Sequence, residues 1–140
     1  MDKTELKRRA KRFAVDVIKL IERLPSNRSL NVLCNQLLRS STSVGANYRS
    51  ACRGKSTADF INKIIIVEEE ADESLYWMEL MEESGLVSSS DLLTLKKEAD
   101  ELTAIFTAIG KTAKVNQQNN KSKNSKSGKS EIEIPKSEIK

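Results

Sequence analysis

Apolar residues recur along this chain in alternating steps of three and four, in four segments separated by short turns. Leu6, Ala10, Phe13, Val17, Leu20 and Leu24 make the first stripe, and Leu30, Cys34, Leu37, Ser41, Val44, Tyr48 and Ala51 the second. Phe60, Ile64, Val67, Ala71, Ser74, Met78 and Met81 make the third, followed by Leu92, Leu95, Ala99, Leu102, Phe106 and Ile109. An α-helix turns once in ~3.6 residues, so each set occupies one helix face. Four such faces can be hidden from water only against one another. The chain is expected to be all-α, an antiparallel up-down-up-down four-helix bundle with short connections.

Helix boundaries follow from stop signals and caps. The first helix is expected from about Thr4 to Leu24, with Asp2 and Glu5 as a capping pair and Pro25 as its stop. Ser26 or Asn27 can cap the second, from about Ser29 to Arg53, and Gly54 would let the chain leave it in a left-handed conformation. Ser56 with Asp59 opens the third helix, which ends near Ser84 with Gly85 as its stop. Ser88 with Asp91 opens the fourth, which is expected to fade near Lys114. From Val115 the composition turns to Asn, Gln, Lys and Ser. Such a stretch buries too little apolar surface to offset ordering it, so 1–114 reads as the bundle and 115–140 as a disordered tail.

Several function classes find no footing. An apolar fraction of 38% with 4% aromatics suits a Leu/Ile/Ala core. No apolar run is long enough to span a membrane, and Asp16, Lys19 and Glu22 interrupt any secretory h-region, so a cytoplasmic location is expected. Cys34 and Cys52 lie too far apart on one helix to pair. There is no histidine, no Gly-rich phosphate loop and no recognisable nucleophile, so no catalytic residue, metal or cofactor is expected. Tyr76 and Trp77 read as core or interface anchors.

The second helix is unusual. Ser40-Ser41-Thr42-Ser43-Val44-Gly45-Ala46-Asn47 is a poor helix by propensity yet lies inside a strong stripe. Small side chains there allow another helix to approach closely, or offer a surface to a ligand. Asn47, one turn from Ser43, is placed to hydrogen-bond a carboxylate of the third helix.

Charge is sorted along the chain. Residues 1–57 carry 13 Lys/Arg against 4 Asp/Glu, and residues 58–87 carry one Lys against nine acids. Glu68, Glu69, Glu70, Asp72 and Glu73 can pair with Arg39, Arg49 and Arg53 within the chain, or face a second subunit. The cluster Lys7, Arg8, Arg9, Lys11 and Arg12, with Arg49, Arg53 and Lys55 and the tail lysines Lys121, Lys123, Lys126 and Lys129, can instead form a basic surface for phosphate backbones. The competing explanation is a solvated helix face.

The run Gln36-Leu37-Leu38-Arg39-Ser40-Ser41-Thr42-Ser43-Val44-Gly45-Ala46-Asn47-Tyr48-Arg49 resembles the signature of a bacterial four helix bundle family. So do Gly54-Lys55-Ser56, Asp59-Phe60 and Glu68-Glu69-Glu70-Ala71-Asp72-Glu73-Ser74-Leu75-Tyr76-Trp77. This family includes proteins encoded in intervening sequences of 23S rRNA genes. It is also similar to the accessory variability determinant protein of retroelements. The resemblance implies a bundle without enzyme activity that assembles with itself, as a pentamer before a dimer. Arg39, Ser43, Asn47, Glu69 and Glu73 are the matching polar positions for a structural or oligomer role. It also implies binding of RNA or DNA. Two further readings stand beside it: an adaptor whose acidic third helix docks a basic partner such as a reverse transcriptase, and a metal-carboxylate enzyme.

Overall fold

The computed structural model describes the backbone of residues 1–127 and the side chains of residues 1–123. In chain order the helices are α1 (Lys3–Arg23), α2 (Arg28–Cys52), α3 (Thr57–Glu83) and α4 (Ser89–Ser127), with no strand among the described residues. α2 packs between α1 and α3, and α4 packs against α3 and α1. Sequence neighbours are therefore spatial neighbours, and the ring closes between the first and last helices. That is the up-down-up-down bundle, forced by connections of only a few residues.

Each helix starts on a side chain that accepts an otherwise orphaned backbone N–H. The Glu5 amide donates to Asp2 Oδ1 at 2.8 Å, and the Leu30 amide to Asn27 Oδ1 at 2.8 Å. The Asp59 and Asp91 amides donate to Ser56 Oγ at 3.1 Å and Ser88 Oγ at 3.3 Å. α3 ends at Gly85, whose φ of 77° lets Leu86 and Val87 turn their amides back to the Met81 carbonyl, both at 3.1 Å. Gly54 differs from expectation: among the described residues the glycine with positive φ is Gly85. What Gly54 supplies is room, since a Cβ there would meet Asp59 Oδ2 at 2.9 Å and the Ala51 carbonyl oxygen at 3.1 Å.

The four stripes close into one core. Leu6, Phe13, Val17, Leu30, Leu37, Val44, Ile64, Val67, Met78, Leu92, Leu102 and Phe106 are all buried in it. Tyr48 packs at a tilt against Phe106 with ring centroids 5.2 Å apart, and burial pushes its phenol pKa well up. Both cysteines are free, Cys34 in the core and Cys52 half-buried.

The hydroxyl-rich middle of α2 is a packing device. Gly45 faces α1, where a Cβ would sit 3.5 Å from the Ala10 carbonyl carbon. On its other side Ser40 and Ser74, both fully buried, share a hydrogen bond of 2.8 Å across α2 and α3. The remaining hydroxyls are spent on their own helix: Thr42 donates to Leu38 O and Ser43 to Arg39 O, each at 2.8 Å.

α4 runs past Lys114 to Ser127, further than the change in composition suggested. Residues 111–127 contain neither Gly nor Pro. Growth from a packed helix needs no new nucleus, so polar residues such as Lys and Gln can extend it without burying anything. The rest of the expected tail, 128–140, lies outside the described residues.

Because the space beside Gly45 admits a Cβ at ordinary contact distance, Gly45→Ala should stabilise the fold. The expected gain is about 0.5–1 kcal/mol in urea unfolding, from helix propensity and a less flexible unfolded chain. A loss of stability would show that α1 approaches Gly45 more closely than this geometry allows.

Candidate nucleic-acid interface

The basic run of α1 divides according to helix geometry. Successive residues are about 100° apart, so positions 7 and 11 lie on one flank and 9 and 12 on another. Lys7, Arg8 and Lys11 are exposed. Arg9 instead reaches α4 and forks onto Glu98, with Nε to Oε2 at 2.6 Å and Nη2 to Oε1 at 2.8 Å. It also donates to Glu101 Oε1 at 2.6 Å. The Glu98 hydrogen bonds, more than any other contact, push its guanidinium to an even stronger base than usual. Arg9 therefore belongs to the α1–α4 seam and leaves the expected basic surface. Arg12 sits on that same side, 4.0 Å from Asp16 one turn on.

What remains forms a groove. Thr4, Lys7, Arg8 and Lys11 of α1 face Thr42 and Arg49 of α2 across a floor of Ala10, Ala14, Gly45 and Ala46, enclosing about 520 Å³. Ala46 and Arg49 also line a second hollow of about 680 Å³, with Arg53, Lys55, Ser56, Asp59 and Lys63. The two share a wall, so the basic side chains are continuous from α1 around the end of α2 to the start of α3. None of Lys7, Arg8, Lys11, Arg49, Arg53, Lys55 or Lys63 makes an ion pair with a described residue. Lys63 was not among the expected residues; its signal was being the one base in the acidic third helix.

Of the three arginines of α2 expected to meet acids of α3, Arg39 does so. Its Nη1 lies 3.2 Å from Glu70 Oε1, and Nη2 pairs with Glu73. Glu73 also accepts from Trp77 Nε1 at 3.1 Å. The Ser40–Ser74 contact explains why Arg49 and Arg53 are left over. In an antiparallel pair in that register, Arg49 and Arg53 run alongside about residues 65 and 61 of α3, short of Glu68 to Glu73, and share their hollow with Asp59 without pairing to it. Asn47 falls level with Ile66 and Val67, so no carboxylate is at hand, and its Nδ2 donates to Ser43 O at 2.9 Å. Ser43 and Asn47 thus serve α2 internally, while Glu69 is exposed and Glu68 accepts from Thr107 Oγ1 at 2.5 Å.

At the opposite end Lys96 Nζ reaches Glu82 Oε1 at 2.5 Å, and that bond first, then one from Ser89, holds the Glu82 carboxyl below its ordinary range. This contribution to stability is present above the usual carboxylate range and is lost as pH falls through the depressed value. Among the described residues no three His, Cys, Asp or Glu side chains are grouped to hold a metal, and no helix is long and apolar enough to cross a membrane.

The family model for 23S rRNA-intervening sequence protein matches residues 2–108, nearly all of the packed bundle. The chain belongs to that family. A crystal structure of a protein of unknown function from the S23 ribosomal protein family, from Bacteroides thetaiotaomicron VPI-5482, is similar. It is 34% identical, with a TM-score of 0.70 over 76% of this chain and 98% of that one. No protein of curated function matches. The intervening-sequence family match stops short of the far part of α4, from residue 109 onward.

The division of α1 has a measurable consequence. Arg9→Ala strands Glu98 beside Glu101 and should cost about 1 kcal/mol, whereas Lys11→Ala should stay within about 0.5 kcal/mol of the parent. Chemical denaturation of both variants checks this, and equal effects would contradict the assignment.

Proposed function

We propose that this protein is a non-enzymatic, homo-oligomeric bundle that binds RNA or DNA through its basic groove. The observation carrying this reading is the continuous row of Lys7, Arg8, Lys11, Arg49, Arg53 and Lys55, gathered from separate helices, with Asp59 the one acid lining it and no ion pair to a described residue. A solvated helix face has no need to converge with the end of another helix. The groove floor of Ala and Gly lets a phosphate backbone approach closely, and Thr4, Ser50 and Ser56 add hydroxyls along its walls. Self-assembly, as a pentamer before a dimer, and a cytoplasmic location are part of the proposal. A monomer in sedimentation velocity at micromolar concentration would remove the assembly.

A second reading has its own observation. Tyr76 is 51% exposed, packed edge-on against Trp77 at 5.2 Å, with Asp72 and Glu69 exposed nearby on α3. An aromatic standing in water among carboxylates suits a basic protein partner. Affinity capture before and after nuclease treatment separates the readings, because a partner held through nucleic acid is released and a docked protein is retained.

The expected outcome for the first reading is binding that weakens steeply with salt. Replacing Lys7, Lys11, Arg49 and Arg53 together by Gln should flatten the slope of log affinity against log salt by roughly 2–4. Fluorescence anisotropy with labelled oligonucleotides measures it. Absence of binding at low salt, or an unchanged slope, would contradict the proposal.

A further inference from the structure

The antiparallel order gathers the start of α1, the end of α2, the start of α3 and the far half of α4 at one end of the bundle. Charge sorts along the axis in step. Residues 1–13, 40–69 and 105–123, which build that end, hold 14 Lys/Arg against 5 Asp/Glu, a net of +9. Residues 14–39 and 70–104, which build the other end, hold 6 against 12, a net of −6. The chain is basic at one pole and acidic at the other.

α4 supplies Lys111, Lys114, Lys121 and Lys123 to the basic pole, all exposed, with no acid between Glu101 and residue 123. All four lie beyond the residues matched by the family. The bond from Thr107 to Glu68 and the contact of Gly110 with Ile64 set the register of α4 against α3. In that register Thr57 is level with about residue 118, so α4 continues past the α2–α3 turn by roughly 14 Å at ~1.5 Å per residue. Lys111, Lys114 and Lys121 follow Thr107 by 4, 7 and 14 residues and share its α3-facing flank, which leaves α3 between them and the hollow it shares with α2, while Lys123 lies on the α1 side. With helices ~8–10 Å apart in a four-membered ring, α2 and α4 stand roughly 11–14 Å apart on the diagonal, close to the ~12 Å width of a duplex major groove.

The basic pole also lacks something. No Phe, Tyr or Trp lines either hollow of the groove, and the chain has no histidine. Tyr48 and Phe60 are buried, and the exposed Tyr76 belongs to the acidic half. Tyr48 and Phe60 line a third hollow at this pole, of about 420 Å³, but at 3% and 6% exposure they offer little of the aromatic face on which an unstacked base is held. Phosphates presented with the bases already stacked are what a duplex provides.

We infer that the ligand of the basic pole is duplex nucleic acid held through its phosphates, and that the far half of α4 is a second contact row for it. This rests on the nucleic-acid reading above and adds the form of the ligand and an arm of the site. Duplex DNA and duplex RNA share the chemistry, so both enter the test.

The experiment is fluorescence anisotropy of the full chain with a short DNA duplex, the RNA duplex of the same sequence and the component single strands, between about 50 and 200 mM salt. The variant replaces Lys111, Lys114, Lys121 and Lys123 by Gln, with circular dichroism to check that helix content is kept. At least one duplex should bind tenfold or more tightly than its strands. The variant should lose tenfold or more in duplex affinity and flatten the salt slope by roughly 2–4. Single strands bound as well as duplexes would overturn the duplex assignment, and an unchanged slope in the variant would overturn the role of α4. No binding of any probe, even at low salt, would instead remove the nucleic-acid reading beneath it.

Discussion

A hydrogen bond between two buried serines sets the register on which the surface of this molecule depends. Ser40 and Ser74 are fully shielded from water, and each hydroxyl is also within reach of a carbonyl of its own helix. Sliding α3 by one turn against α2 would break the bond between them and leave each hydroxyl only its own helix carbonyl, a loss of about 0.5–1.5 kcal/mol. Apolar stripes alone tolerate such slips better, because one Leu or Ile replaces another. Polar atoms inside the core therefore choose one register among several that would bury a similar area.

Much of the charge pattern is a consequence. With Ser40 opposite Ser74, Arg39 meets Glu70 and Glu73, and the acids of α3 are used at mid-bundle. Arg49 and Arg53 then pass beyond those acids and emerge beside Lys55 and Lys63. On the other side, Gly45 and Ala10 bring α1 close enough for Lys7 and Lys11 to share a groove with Arg49. The basic surface is thus a product of helix packing rather than of any one basic segment.

The fold was legible because its signal is redundant. Four stripes and four capping side chains each point to the same helices, and none depends on distant residues. The site was legible in composition only in part. Lys7, Arg8, Lys11, Arg49, Arg53 and Lys55 do converge, but the fate of Arg9 turns on which flank of α1 faces α4, and no local pattern states that. Asn47 looked placed for a carboxylate of α3; the register put Ile66 and Val67 opposite it instead. The length of α4 was hidden for a different reason: composition reports what a segment can bury, and a helix already nucleated elsewhere can grow without burying anything. Gly54 shows the same gap at smaller scale, since a glycine needed for space and one needed for positive φ look identical in sequence.

Two-dimensional NMR of the amide-labelled protein during titration with a short duplex tests the central claim most directly, since it locates the contact on a fold whose register assigns each helix end to a pole. Shifts concentrated at Lys7, Lys11, Arg49, Lys63 and Lys114, with Asp72, Glu79 and Asp91 unmoved, are the predicted result. Shifts centred on the acidic half, or spread evenly along all four helices, would contradict the account.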